Sequence, residues 1–302
     1  MIKKITFFLF IVLIFWFLGR NIWTNIEEIR SFSWSLTLQD VLFISLCFIV
    51  VYLVNILSWQ ALLKSLGVNL SFRKNIRIWL FSNATRLLPG GVWQYPSKLV
   101  MLEKEGVKRN SALIAVIMET LFTLSFGSIT VFATLPFWAI PERFSYLNNF
   151  LWFFLAAPVL AIILLHPKLV KAMVSYLAKL SKRKIEFTGI RFSKKNLTLA
   201  SLLFLFRFVV FGIAFFALFG VVYPLNPTLF PILLGTLSLS WIIGFLAVFA
   251  PAGLGVTELT LALLLSSYLP IGVSSFMAIF FRVILLSFEG IFLLLALTFK
   301  KD

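Results

Sequence analysis

Charge is what this sequence has least of. Only 13% of its 302 residues are Asp, Glu, Lys or Arg, while 61% are hydrophobic. A soluble domain carries about a quarter charged residues and about half apolar ones. The chain therefore cannot cover a water-facing surface, and lipid has to be its solvent. Histidine occurs once, at His166, and aspartate only at Asp40 and Asp302. Those scarcities argue against histidine-based metal or phosphatase chemistry and against the paired aspartates of a metal-dependent glycosyltransferase. Cys47 is the single cysteine, so no internal disulfide forms. No glycine-rich nucleotide loop is present, which leaves a gradient or a concentration difference as the driving force for any transport. Neither a metal nor a cofactor is expected, and catalysis is not the leading reading.

Apolar runs are what the sequence has in abundance. Six are long enough to cross a bilayer, which takes about 17–25 residues: roughly 5–23, 41–63, 110–135, 149–165, 197–222 and 273–299. The first follows Lys3-Lys4 like a signal peptide, but Gly19-Arg20-Asn21 stands where a small-residue cleavage site would be, so an uncleaved span is expected. Two further stretches are interrupted. One runs from about Phe72 to Glu105 and is broken at Pro89-Gly90-Gly91. The other runs from about Leu229 to Tyr268 and is broken at Pro251-Ala252-Gly253-Leu254-Gly255. Each reads as a helical hairpin that enters and returns on one side. The fold class expected is an all-α polytopic membrane protein: six full spans plus two Pro/Gly-broken hairpins, eight hydrophobic units in one transmembrane domain over 1–302, with no soluble domain.

The net charge of +16 is concentrated between the apolar runs. Segments 64–109 and 166–196 hold nine Lys/Arg each, whereas the segments assigned to the other side hold only Arg30 and Arg143. This asymmetry points to a cell (plasma or inner) membrane protein with both termini cytoplasmic, not to a nucleic-acid binder. Within 166–196, Leu169, Val170, Met173, Val174 and Leu177 form an apolar stripe that Lys171 and Lys179 avoid. That segment is either a basic amphipathic helix on the membrane surface or a solvated connector.

The two breaks resemble each other. A shift of 162 superposes Pro89 on Pro251 and Gly91 on Gly253; a shift of 163 superposes Glu119 on Arg282 and Gly127 on Gly290. Three full spans separate the hairpins, so they enter from opposite faces, the geometry of inverted repeats whose broken helices build a polar site near the midplane. Backbone freed by Pro and Gly has to be buried in protein or line a wet cavity. Seven ionisable residues lie in or beside the apolar stretches: Arg86, Lys98, Glu119, Arg207, Glu258, Arg282 and Glu289. Four cations against three carboxylates leave +1, a balance that suits a phosphate gripped by Arg. The competing reading is a set of ion pairs locking helices together, and for Arg207, with no motif around it, that reading is preferred.

Arg86-x-x-Pro89-Gly90-Gly91, the mid-span Glu119, Pro251-x-Gly253-x-Gly255-x-x-Glu258 and the late Arg282 resemble the lysylphosphatidylglycerol synthase transmembrane-region family, also called flippase-like membrane proteins. The resemblance covers essentially the whole chain, although Trp93-Gln94 stands where many members continue with a glycine. In two-part members this region moves aminoacylated phosphatidylglycerol between leaflets and a C-terminal soluble domain makes it. With the chain ending at Asp302, the resemblance implies the flippase-like half without the aminoacyl transferase. The implied partner is an anionic phospholipid or a polyprenyl-phosphate-linked substrate. Its site would draw on Arg86, Pro89, Gly90, Gly91, Glu119, Pro251, Gly253, Gly255, Glu258, Arg282 and Glu289. An intramembrane lipid-modifying enzyme and an accessory subunit of a membrane glycosyltransferase system are the alternatives.

Overall fold

Backbone in hydrocarbon has to satisfy its own N–H and C=O groups, and helices account for every regular element among the described residues. The computed structural model describes residues 2–30, 37–88, 91–138 and 192–298, with isolated positions between 168 and 179. The predicted span 149–165, most of the loop 136–148, most of the 166–196 segment, and Pro89 and Gly90 lie outside the described residues.

The helices are α1 (Ile2–Thr24), α2 (Ile26–Arg30), α3 (Leu38–Ser65), α4 (Phe72–Ala84), α5 (Gln94–Lys104), α6 (Arg109–Thr134), α7 (Lys194–Val222), α8 (Phe230–Leu246), α9 (Val256–Leu265) and α10 (Ile271–Leu297). Their starts are written in the sequence. Thr37 accepts from the Asp40 N–H at 3.2 Å while Asp40 accepts from the Thr37 N–H at 3.0 Å, a capping box that opens α3. Ser71 and Ser193 cap α4 and α7 in the same position. At 1.5 Å per residue, α3, α6, α7 and α10 each extend about 40 Å, enough to cross an apolar layer of about 30 Å. They match four of the predicted spans. With its leading turn Pro227–Leu229, α8 is also long and apolar enough to cross. The second hairpin is therefore lopsided, a full-length arm followed by the ten-residue α9.

Contacts at the helix ends relate the directions of several elements. The Ser193 N–H donates to the Ser65 carbonyl at 2.9 Å, which ties the start of α7 to the end of α3. Lys74 pairs with Glu105 at 2.7 Å, which brings the start of α4 to the end of α5. The first hairpin thus enters and leaves at the end of the bundle where α3 stops and α7 begins. After running the length of the bundle, α7 delivers the chain to α8 at the other end. There Gly272, at the start of α10, packs against Asn25, just past the end of α1. The two hairpins enter from opposite ends, as inverted repeats require, and this follows without counting the span at 149–165.

Aromatic pairs join the helices within a largely aliphatic core. Phe215 meets Phe281 at 4.7 Å, edge to face, and Phe48 stacks on Phe288 at 4.7 Å, joining α3, α7 and α10. A second cluster around Trp59, Phe122 and Phe204 joins α3, α6 and α7. Outward-facing Leu42, Phe43, Leu46 and Leu53 of α3 remain exposed, as lipid-facing residues should. Between apolar helices in lipid it is close packing, not exclusion of water, that drives association.

Candidate functional site

Each break is built by residues whose backbone most side chains avoid. In the second, Ala252, Gly253 and Gly255 have φ of 51°, 69° and 83°. A side chain at Gly253 would place its Cβ 2.9 Å from the Gly244 carbonyl, so only glycine lets the break fold back on α8. In the first, Gly91 has φ 63°, and a Cβ there would lie 3.1 Å from the Val248 carbonyl and 3.3 Å from that of Ala250. The two breaks therefore meet, backbone against backbone.

Four buried or half-buried cations surround this meeting point. Arg86, in the turn after α4, reaches Glu289 on α10 at 2.7 Å. Lys98 of α5 donates to both oxygens of Glu119 on α6, at 2.8 and 2.7 Å, and its ammonium lies 4.6 Å from the centre of the Trp59 ring. On α10, Arg282 lies 3.2 Å from Glu258 and donates to the Ala252 carbonyl at 2.8 Å. Glu258 closes the end of the second break by accepting from the Gly255 N–H at 2.6 Å. A carboxylate at that position is favoured by the free N–H groups of the α9 N-terminus. The fourth cation, Arg207 of α7, has no carboxylate within 4 Å among the described residues. It makes one long hydrogen bond, 3.4 Å, to Asn55 and lies against the faces of Phe204 and Phe208. The ion-pair role expected for Arg207 is not what the structure gives it.

The pairs repeat with their signs exchanged. In each half, the short helix after the break is tied to the middle of the next long helix. The first half uses Lys98–Glu119 and the second Glu258–Arg282. The superposition of Glu119 on Arg282 seen in the sequence is therefore a correspondence of place with opposite charge.

A cavity of about 230 Å³ lies between the breaks. Of the residues proposed from sequence, Arg86, Gly91, Glu119, Gly253 and Glu289 line it. Pro251, Gly255, Glu258 and Arg282 stand behind the wall and hold the second break in place. Sequence reasoning left out Arg207 and Lys98 as site residues, and it missed Asn55, Asn83, Trp79 and Trp241, all of which line the cavity. One signal was available for Asn55, a carboxamide in the middle of an apolar run. Another was the spacing Trp79, Asn83, Arg86, which puts all three on one face of α4 and its terminal turn. The cavity wall carries Arg86, Lys98 and Arg207 against Glu119 and Glu289, one cation in excess. Val92 and Val248, one beside each break, line the cavity and are 42% and 58% exposed, so the cavity reaches the surface between the hairpins.

No curated protein gives a significant match to the chain. The family model of the lysylphosphatidylglycerol synthase TM region matches residues 4–296, nearly the full length, and the chain belongs to that family of membrane proteins.

Proposed function

We propose that the chain takes the phosphate of an anionic lipid, either a phospholipid or a polyprenyl-linked one, into the cavity between the two breaks and passes it from one leaflet to the other. Arg207 carries this reading. An uncompensated guanidinium beside hydrocarbon costs several kcal/mol unless an anion or water meets it, and its planar fork suits two phosphate oxygens. An exposed rim at Val92 and Val248 supports entry of a headgroup whose chains stay in the bilayer. Hairpins that enter from opposite ends give the site a route to each face. The surplus of Lys and Arg at the end marked by Lys64, Arg77 and Lys195 supports a cytoplasmic setting for that end and for both termini.

The test is reconstitution into liposomes containing phosphatidylglycerol labelled on an acyl chain, with an impermeant quencher added outside. Wild-type protein should expose the inner-leaflet label. Arg207→Gln at normal membrane abundance should lose about 10- to 100-fold in rate, the worth of a charge-assisted bidentate contact. Arg207→Lys should recover little. Undiminished translocation by Arg207→Gln, or no wild-type activity above protein-free vesicles, would sink the reading.

A further inference from the structure

We propose that the Arg86–Glu289 pair couples lipid movement to protons: Glu289 takes up one proton each time Arg86 leaves it for a lipid phosphate. Resting on the phosphate reading of the same cavity, this coupling adds the driving ion.

Its placement sets the pair apart. Among the described residues, Lys74–Glu105, Lys98–Glu119 and Arg109–Glu103 lie within the first half, and Glu258–Arg282 lies within the second. Only Arg86–Glu289 joins the halves, from the turn after α4 to α10. Alternating access by inverted repeats moves one half against the other. Such motion leaves the other pairs intact and stretches this one.

Glu289 is also the least held of the three buried carboxylates. Glu119 receives Lys98 on both oxygens, and Glu258 receives the Gly255 N–H while facing Arg282 at 3.2 Å. Glu289 lines the cavity and accepts a single hydrogen bond among the described residues, from Arg86 at 2.7 Å. Arg86 has donors to spare, because its Nε is buried without a partner.

When the pair parts, each charge needs a substitute partner, since a bare charge inside the bilayer is costly. A guanidinium keeps its proton in proteins, so Arg86 has to meet an anion, and the phosphate is that anion. Glu289 finds no second cation. On its own helix, Arg282 is taken by Glu258 and the Ala252 carbonyl. Across the cavity, Lys98 is taken by Glu119, and Arg207 of α7 is turned to Asn55 and to the lipid phosphate. The remaining cations of α4, Arg73, Lys74 and Arg77, lie in its first two turns, away from Arg86. Residues 5–18 of α1 carry no charge, and α2 sits by the start of α10, about 25 Å from Glu289. Tyr52 of α3 faces Glu289, but its hydroxyl donates to the Leu285 carbonyl at 3.1 Å. A proton is what remains. It passes from water on the side where the cavity is open to a Glu289 oxygen. It returns to water on the other side when Arg86 pairs again. One monoanionic phosphate and one proton travel together, so the cycle moves no net charge.

The experiment uses liposomes holding the full chain and phosphatidylglycerol labelled on an acyl chain, with an impermeant quencher reading the outer leaflet. With the potential clamped at zero by potassium and valinomycin, a gradient of one pH unit should drive the label toward the alkaline side. The leaflet ratio should shift about tenfold at steady state, the figure for one proton per lipid. A potassium diffusion potential without a pH gradient should leave the ratio unchanged. Glu289→Gln should abolish the shift. Dicyclohexylcarbodiimide, which modifies protonated carboxyls inside membranes, should label Glu289 of the wild type, and faster with phosphatidylglycerol present. Lipid movement with no shift under the pH gradient would overturn the coupling and leave the phosphate site standing. A shift that persists in Glu289→Gln, or reagent on Glu119 in place of Glu289, would overturn the assignment to this residue. No movement of phosphatidylglycerol at all would overturn both readings. The gradient and the reagent are read on wild-type protein, so a Glu289→Gln chain that fails to insert does not shield the coupling.

Discussion

The Arg282 guanidinium lies 3.2 Å from the Glu258 carboxylate, and the two side chains are only 12% and 2% exposed. Through its other arm Arg282 holds the Ala252 carbonyl, so the middle of α10 grips the second break at two points. The sequence suggested a phosphate contact for Arg282; its pairing with Glu258 and its place outside the cavity lining support instead the proposal that it braces the break. Breaking a buried pair by removing one partner costs about 3–5 kcal/mol, because the survivor is left as an unpaired charge. Arg282→Gln should therefore unfold well below wild type in detergent and be depleted from membranes. Arg282→Leu combined with Glu258→Leu should recover part of the loss. An Arg282→Gln protein with wild-type thermal stability and no lipid movement would return Arg282 to the binding site.

The exchanged polarity of the two repeats gives a second prediction. Lys98 and Glu119 are 4% and 13% exposed in the first half. Lys98→Met should cost about 3–5 kcal/mol of stability for the reason that applies to Arg282. The double exchange Lys98→Glu with Glu119→Lys copies the order found in the second half and should restore most of it. Thermal unfolding of the wild type, Lys98→Glu, Glu119→Lys and the double exchange forms a complete cycle. Additive losses in the double would show that the pair does not bind as a unit.

Much of this architecture is legible in the sequence because hydrocarbon leaves few choices. An apolar run of more than twenty residues has to be a helix, and a Pro/Gly break inside one has to be buried. That is why α3, α6, α7 and α10 fall where the long apolar runs put them. The charges are harder. A sequence places Arg282 and Arg207 in the middle of spans without saying which one meets a carboxylate. That depends on the rotation of α7 and α10 about their axes, which packing sets. Repetition also misleads in detail. Gly127 and Gly290 superpose in the repeat, yet a Cβ at Gly127 would strike Phe208 at 2.8 Å while Gly290 faces open space. The length of α8 is likewise invisible in a pattern that treats both hairpins alike.

Opposite entry of the hairpins makes a labelling prediction. Arg73 and Lys194 lie at the end where the first hairpin enters, and Asn226 lies at the end where the second does. Single cysteines at Arg73 and Lys194, in a Cys47→Ala background, should react with an impermeant maleimide from one side only. A cysteine at Asn226 should react from the other. Labelling of all three from the same side would contradict inverted repeats.

Gly91 offers the sharpest test that the two breaks meet. Its φ of 63° lies in the left-handed region, where a side chain costs roughly 1–2 kcal/mol. Its missing Cβ also faces the Val248 and Ala250 carbonyls at 3.1 and 3.3 Å, and backbone cannot rotate away as a side chain can. Gly91→Ala should therefore lower stability by about 1–3 kcal/mol, and Gly91→Val by more. Gly290→Ala is the control. It sits in the interior of α10 with nothing within 4 Å of the added carbon, so it should be neutral or stabilise by roughly 0.5–1 kcal/mol. The effect should also reach the cavity. Cysteines at Val92 and Val248, both on the cavity wall, should be joined by a short bifunctional crosslinker in the Cys47→Ala background, and adding Gly91→Val should lower that yield by forcing the breaks apart. If the crosslink persists at full yield and Gly91→Ala is as stable as Gly290→Ala, the breaks do not touch, and the cavity between them loses its floor.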